Sequence, residues 1–84
     1  MKLSNKAATR IATLVNSLAV AEGFITRASR NKDAKSYYVW LDQKFATVIR
    51  LDDEFGIQLP GLARARAEGE SIRQKANELI RTAA

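Results

Sequence analysis

Apolar residues recur three and four positions apart along most of this chain, and that spacing constrains the fold more than any other feature. Residues three and four apart lie on one face of an α-helix, so each such stretch predicts a helix with one apolar stripe. The clearest stretch follows Pro60, the only proline, which suits the first turn of a helix. It predicts a helix over 61–82 with the stripe Leu62, Ala65, Gly69, Ile72, Ala76, Leu79 and Ala83.

The first part of the chain predicts another helix, over 4–22. Ser4 is a suitable N-cap because its hydroxyl can accept a hydrogen bond from a free backbone N–H. Gly23 can adopt the left-handed conformation that ends a helix. The predicted stripe is Ala7, Ile11, Leu14, Leu18 and Ala21, and the polar face carries Lys2, Lys6 and Arg10.

The middle of the chain predicts a helix over 34–55, with Asp33 as its N-cap and Gly56 as its end. Five of the six aromatic residues lie in this segment. Aromatic side chains bury large apolar areas, so this helix is expected to form the centre of the core. Its predicted stripe is Tyr37 or Tyr38, then Leu41, Phe45, Val48 with Ile49, and Phe55.

These elements predict an all-α fold with one domain over 1–84. It is either a three-helix antiparallel bundle or a helical hairpin with an extra helix. The 84-residue chain has no cysteine and no histidine. It therefore has no disulfide, and it lacks the cysteine and histidine ligands that usually hold a structural metal. Small scaffolds without these supports often oligomerise, and we expect a homo-oligomer.

The apolar stripe of the helix predicted over 61–82 contains small residues that would let another helix approach closely. Its partner is either helix 1 of the same chain or a neighbouring subunit, and the pattern favours neither. The side chains that we assign to this protein contact are Ala65, Ile72 and Leu79.

Residues 23–33 predict a basic loop. Phe24, Ile25 and Thr26 favour extended structure, and cations crowd the positions that follow. Cations beside aromatic residues are typical of sites where the cations contact phosphates and the aromatic rings stack on bases. The alternative is that the charges only keep the loop soluble and that the aromatic residues belong to the core. The predicted nucleic-acid-binding residues are Arg27, Arg30, Lys32 and Lys35, extended by Lys6 and Arg10 of helix 1.

The net charge of +5 is unevenly distributed along the chain. Residues 1–32 carry six basic side chains and one acidic side chain, whereas residues 33–56 carry three basic and five acidic ones. A basic end and an acidic middle indicate a polyanionic partner or head-to-tail packing of copies, with plain surface solvation as the alternative.

Most of the acidic charge of the middle segment lies in one triplet, Asp52, Asp53 and Glu54, at the end of helix 2. Arg50 stands four residues before Glu54, a spacing that predicts an ion pair on one helix face. We interpret the triplet as a surface for protein contact. The alternatives are a solvated surface and a weak Mg²⁺ site, which would also need substrate phosphates.

Nothing in the sequence has the pattern of a catalytic site. The chain has no histidine, the usual activating base for a serine or cysteine nucleophile, and its four glycines are too dispersed for a phosphate loop. We therefore predict a binding protein rather than an enzyme, with no cofactor and no metal. The chain also has no apolar run of about 18 residues and no secretory signal, so we expect no membrane partner and a cytoplasmic location in a bacterial host cell.

From Glu22 onward, the chain resembles the C-terminal part of a tailed-phage terminase small subunit. The resemblance spans roughly half of the chain. The matching features are Glu22-Gly23, the basic segment after it, Ile49-Arg50-Leu51, Glu54-Phe55-Gly56-Ile57, Pro60 and Arg64-Ala65-Arg66.

Members of that family assemble into rings, recognise packaging DNA and regulate the large ATPase–nuclease subunit. The resemblance implies that the matched segment is the helical assembly region. The family usually has an upstream helix-turn-helix module, which residues 1–21 cannot contain, and Leu59 stands where a threonine-like N-cap is expected. DNA contact is therefore expected from Arg27, Arg30, Lys32 and the cations of helix 1.

The predicted function is that of a small, oligomeric, phage-related protein that binds nucleic acid, with DNA packaging as the specific role. The alternative is a phage-encoded module that inhibits or modulates a host protein. In that case the acidic triplet or exposed apolar stripes of the helices would contact the host protein.

Overall fold

The computed structural model describes residues 4–82, so Lys2 and Ala83 lie outside the described residues. It contains three helices: α1 over Asn5–Arg30, α2 over Ala34–Phe55 and α3 over Leu62–Thr82. No strand occurs between residues 4 and 82. The all-α prediction is therefore confirmed.

The three helices form two antiparallel hairpins that share α2. Both α1 and α3 pack on α2, whereas these two helices do not pack on each other. The molecule is 47 Å long and has a radius of gyration of 14.1 Å. A compact chain of this length would have a radius of gyration of about 12 Å, so the fold is elongated.

Side-chain and backbone caps fix three of the helix ends, as predicted. The hydroxyl of Ser4 accepts from the N–H of Ala7 at 3.0 Å, and the carboxylate of Asp33 accepts from the N–H of Ser36 at 3.2 Å. Gly56 adopts a φ of 68°, and its N–H donates to the carbonyl of Asp52 at 2.8 Å. These bonds satisfy backbone groups that a helix end would otherwise leave free.

The predicted end of the first helix at Gly23 is wrong, because α1 continues for seven more residues to Arg30. Ile25 and Ala28 extend the three-and-four spacing of the apolar stripe, and Ala28 is only 4% exposed. Burial of these side chains against α2 outweighs the preference of Phe24, Ile25 and Thr26 for extended structure. The predicted loop 23–33 is reduced to a short link centred on Asn31 and Lys32.

The core lies on α2, which is buried on two faces. Leu41, Phe45 and Val48 form one cluster with Ala65 of α3. Leu51 is fully buried and Thr47 is 5% exposed, and the sequence pattern predicted neither. The hydroxyl of Thr47 donates to the carbonyl of Gln43 at 2.8 Å, which satisfies this buried polar group.

The predicted stripe of α3 is correct over the described residues, but its partner was not among the two alternatives. Ala65 belongs to the core cluster on α2, and Ile72 packs against the same cluster. Leu79 is half-buried farther along the same face. These three residues therefore contribute to packing within the chain rather than to a free surface.

Replacing Gly23 by Ala should raise the free energy of unfolding by about 1 kcal/mol, because glycine is a poor residue for a helix interior. An added Cβ at Gly23 would meet no atom within 4 Å. Gly56→Ala is the matched control and should lower the free energy by about 1–2 kcal/mol, because Gly56 has a left-handed φ. Urea denaturation measures both values. A destabilised Gly23→Ala variant would indicate that α1 ends at Gly23.

Candidate nucleic-acid interface

Four of the predicted cations lie at one end of the molecule, which we name the basic end. Arg27 and Arg30 occupy the last turn of α1, Lys32 lies in the link and Lys35 lies in the first turn of α2. All four are exposed, and none forms an ion pair with another described residue. The two arginines also interact favourably with the C-terminal end of the α1 dipole.

The structure adds Arg81 to the basic end, a residue that the sequence analysis missed. Arg66 and Arg73 of α3 pair with Asp52 and Asp42 of α2, at 2.6 Å and 3.4 Å. This antiparallel register carries the last turn of α3, which contains Arg81, to the level of the first turn of α2. Arg81 and Lys35 are 46 positions apart in the chain, so only the helix register places them at the same end of the molecule.

The net charge of the described residues is concentrated around the basic end. Eight basic and four acidic side chains lie in the half of the molecule formed by residues 18–44 and 71–82. Five basic and five acidic side chains lie in the other half, formed by residues 4–17 and 45–70. One half is therefore neutral, and the half that contains the basic end carries the excess positive charge.

Asp33 is the acidic residue closest in sequence to these cations, and it has a structural role. Its carboxylate accepts from the hydroxyl of Ser36 at 2.8 Å and from the N–H of the same residue. These two hydrogen bonds hold the pKa of the Asp33 carboxyl below its usual value, and the nearby Lys35 acts in the same direction. Asp33 therefore caps α2 rather than forming an ion pair with the neighbouring cations.

The acidic triplet lies at the opposite end and is held by ion pairs within the chain. The guanidinium of Arg66 lies 2.6 Å from a carboxylate oxygen of both Asp52 and Asp53. These hydrogen bonds raise the pKa of Arg66, that to Asp53 having the larger effect. The predicted pair of Arg50 with Glu54 is not formed, because Glu54 pairs with Arg10 of α1 at 3.3 Å. The triplet thus links α2 to both other helices.

Lys6 and Arg10 do not extend the basic end, contrary to the prediction. Because α1 is continuous, Arg10 lies about 25 Å from Arg27 along the helix axis. Arg10 is also paired with Glu54, so its charge is balanced locally. The predicted surface therefore separates into two groups at opposite ends of α1.

The aromatic residues next to the basic end are half-buried and contact one another. Tyr37 packs against the core cluster and makes an edge-to-face contact with Tyr38 at 5.2 Å. Trp40 stacks on Phe24 of α1, with ring centroids 4.5 Å apart and an angle of 9° between the planes. Phe24 remains 39% exposed, and the sequence analysis had placed it in a loop. Its stacking required the unexpected continuation of α1.

Over residues 4–82, no three His, Cys, Asp or Glu side chains are grouped so that they could hold a metal ion. No helix in this part of the chain is both long enough and apolar enough to cross a membrane. Searches found no matching family model, curated protein or solved structure.

Asp33 should make the stability of the protein depend on pH. Its pKa is lower in the folded chain than its ordinary value of 3.8, so its contribution is present above that value. The contribution is lost as the pH falls through 3.8 towards the folded-state pKa. Asp33→Asn keeps a good N-cap without a titrating group.

We expect the melting temperature of the native chain to fall relative to that of Asp33→Asn between about pH 6 and about pH 3, because the loss begins near the ordinary pKa of the carboxyl within this range. Thermal unfolding followed by circular dichroism at each pH measures this difference. A difference that stays constant with pH would contradict the proposed role of Asp33.

Proposed function

We propose that this protein binds nucleic acid through its basic end. The proposal is based on the exposed, unpaired cations that lie where α1 ends and α2 begins. At the opposite end, the acidic triplet forms ion pairs with arginines. Unpaired cations can replace the counterions around a phosphate backbone, and release of those counterions favours binding. Cations already paired with carboxylates would first have to lose those partners.

Within this proposal, DNA is the nucleic acid and genome packaging in a tailed phage is the specific role. The support is the resemblance of residues 22–66 to terminase small subunits. In this role the chain acts without catalysis, as an oligomeric factor that holds DNA for a separate packaging enzyme. The basic end takes the place of the helix-turn-helix module of that family.

Self-association is supported by a second apolar stripe on α1. Ala8, Ala12, Val15 and Ala19 follow one another at spacings of four, three and four, and all four are exposed. Val15 is 50% exposed. A second helix could pack closely along this face because its side chains are small and apolar. We propose that copies of the chain meet there.

The same stripe favours the second candidate function, a phage-encoded module that inhibits or modulates a host protein. The host protein would then cover the face of α1 that we assign to self-association. The acidic triplet is a weaker candidate for this contact, because its carboxylates already pair with Arg10 and Arg66. Under this alternative the basic end would not be required for binding.

Removing two cations of the basic end should weaken the salt dependence of DNA binding. For Arg30→Gln with Lys32→Gln, we expect the slope of log affinity against log salt to decrease by about 1.8 on duplex DNA, if each cation neutralises one phosphate. Fluorescence anisotropy with a labelled duplex at several salt concentrations measures the slope.

Lys6→Gln with Arg50→Gln is the matched control, because it removes the same charge from exposed residues away from the basic end. This control should keep the slope within about 0.5 of the native value. Equal losses in the two double variants would contradict binding at the basic end, and no DNA binding at low salt would contradict the proposed function.

Charges placed on the α1 stripe should disrupt self-association. We expect the native chain to show a mass above that of a 9.3 kDa monomer in multi-angle light scattering, and Val15→Glu with Ala19→Glu to return it to the monomer mass. Ala67→Glu, at an exposed position of α3, is the control and should leave the mass unchanged. A monomeric native chain at high concentration would contradict assembly.

A further inference from the structure

A shallow groove crosses the outer surface of α1 next to the basic end. It is lined by Ala19, Val20, Gly23, Phe24 and Arg27, and Ala19 is also the last residue of the stripe that we assign to self-association. Gly23 leaves the groove open, since even an added Cβ at this position would meet nothing within 4 Å. A larger side chain at this position would therefore extend into open space that borders the groove.

The walls of the groove are apolar and aromatic. Four large apolar side chains of the described residues are exposed, and two of them, Val20 and Phe24, line this groove at 43% and 39% exposure. Trp40 stacks on Phe24 and holds its ring in place. The guanidinium of Arg27 lies 5.9 Å from the centre of the same ring. An apolar wall beside a fixed aromatic ring and a cation suits a flat ring that carries a nearby negative charge.

The groove continues directly into the cations of the basic end. Arg27 lies four positions after Gly23, and Arg30 lies three positions after Arg27, so the three positions occupy one flank of α1. Neither arginine forms an ion pair with a described residue. A polyanion bound to these arginines would have its next unit at the groove.

We propose that this groove receives an unpaired base of single-stranded nucleic acid, whose flanking phosphates contact Arg27 and Arg30. The proposal rests on the proposed nucleic-acid binding and adds a single-stranded substrate to the duplex DNA considered there. A base in a duplex presents only its edge, because its faces are stacked on neighbouring bases. A base in a single strand exposes its faces and can pack against Val20 and the part of Phe24 that Trp40 and Arg27 leave uncovered. Stacking of a base on an aromatic side chain occurs with any base sequence.

Fluorescence of Trp40, the only tryptophan, reports on this groove through its stacked partner Phe24. The native chain is titrated at low salt with an eight-nucleotide thymidine strand and with an abasic strand that has the same number of phosphates. We expect the thymidine strand to bind about 5- to 100-fold more tightly, the range expected for stacking of one base. We also expect the thymidine strand, but not the abasic strand, to change the emission of Trp40.

Gly23→Leu fills the groove without removing a charge. Because leucine is a good helix former and the position is open, this variant should be at least as stable as the native chain. It should lose the preference for the thymidine strand and retain its affinity for the abasic strand. Thr9→Leu, at an exposed position of α1 far from the groove, is the matched control and should keep the preference.

The outcomes separate this inference from the function on which it rests. Equal affinity of the native chain for the two strands would overturn the base site and leave nucleic-acid binding intact. Binding to neither strand would overturn the base site, and the proposed nucleic-acid binding would also be overturned if duplex DNA failed to bind. If Gly23→Leu kept the full preference for the thymidine strand over the abasic strand, the base would bind elsewhere and the assignment to the groove would be wrong.

Discussion

The fold depends on α2, because this helix is the common partner of the other two. α1 and α3 pack on different faces of α2 and do not pack on each other, so burial of both faces of α2 holds the three helices in position. Leu51 is fully buried, and the cluster of Leu41, Phe45 and Val48 joins Ala65 of α3. An elongated molecule results, and its two ends are far enough apart to have different charges.

The separation of charge follows from the register of the two hairpins. At one end, Asp52 and Asp53 pair with Arg66 of α3, while Glu54 pairs with Arg10 of α1. At the other end, the last turn of α1 precedes the first turn of α2, and the helix register places the last turn of α3 at the same level. Basic residues outnumber acidic ones there. The ion pairs that help to align the helices thus neutralise one end and leave the basic end available for a polyanion.

The sequence predicted features that depend on local spacing. The caps at Ser4 and Asp33 and the stripe of α3 required only neighbouring residues. Local spacing did not predict the features that depend on packing between helices. Gly23 lies within a helix because Ile25 and Ala28 are buried on α2. Continuity of the apolar spacing through Gly23 was the signal that would have predicted this. The approach of Arg81 to the basic end had no local signal, since it arises from the hairpin register.

We propose that nucleic acid binds at the basic end and not along the whole positively charged chain. Backbone amide chemical shifts measured by NMR during titration with a short DNA strand test it residue by residue. We expect shifts confined to residues 19–36 and to the last turn of α3, around Arg81. Shifts of equal size around Lys6, Arg50 and Arg64, or shifts concentrated at that opposite end, would contradict it.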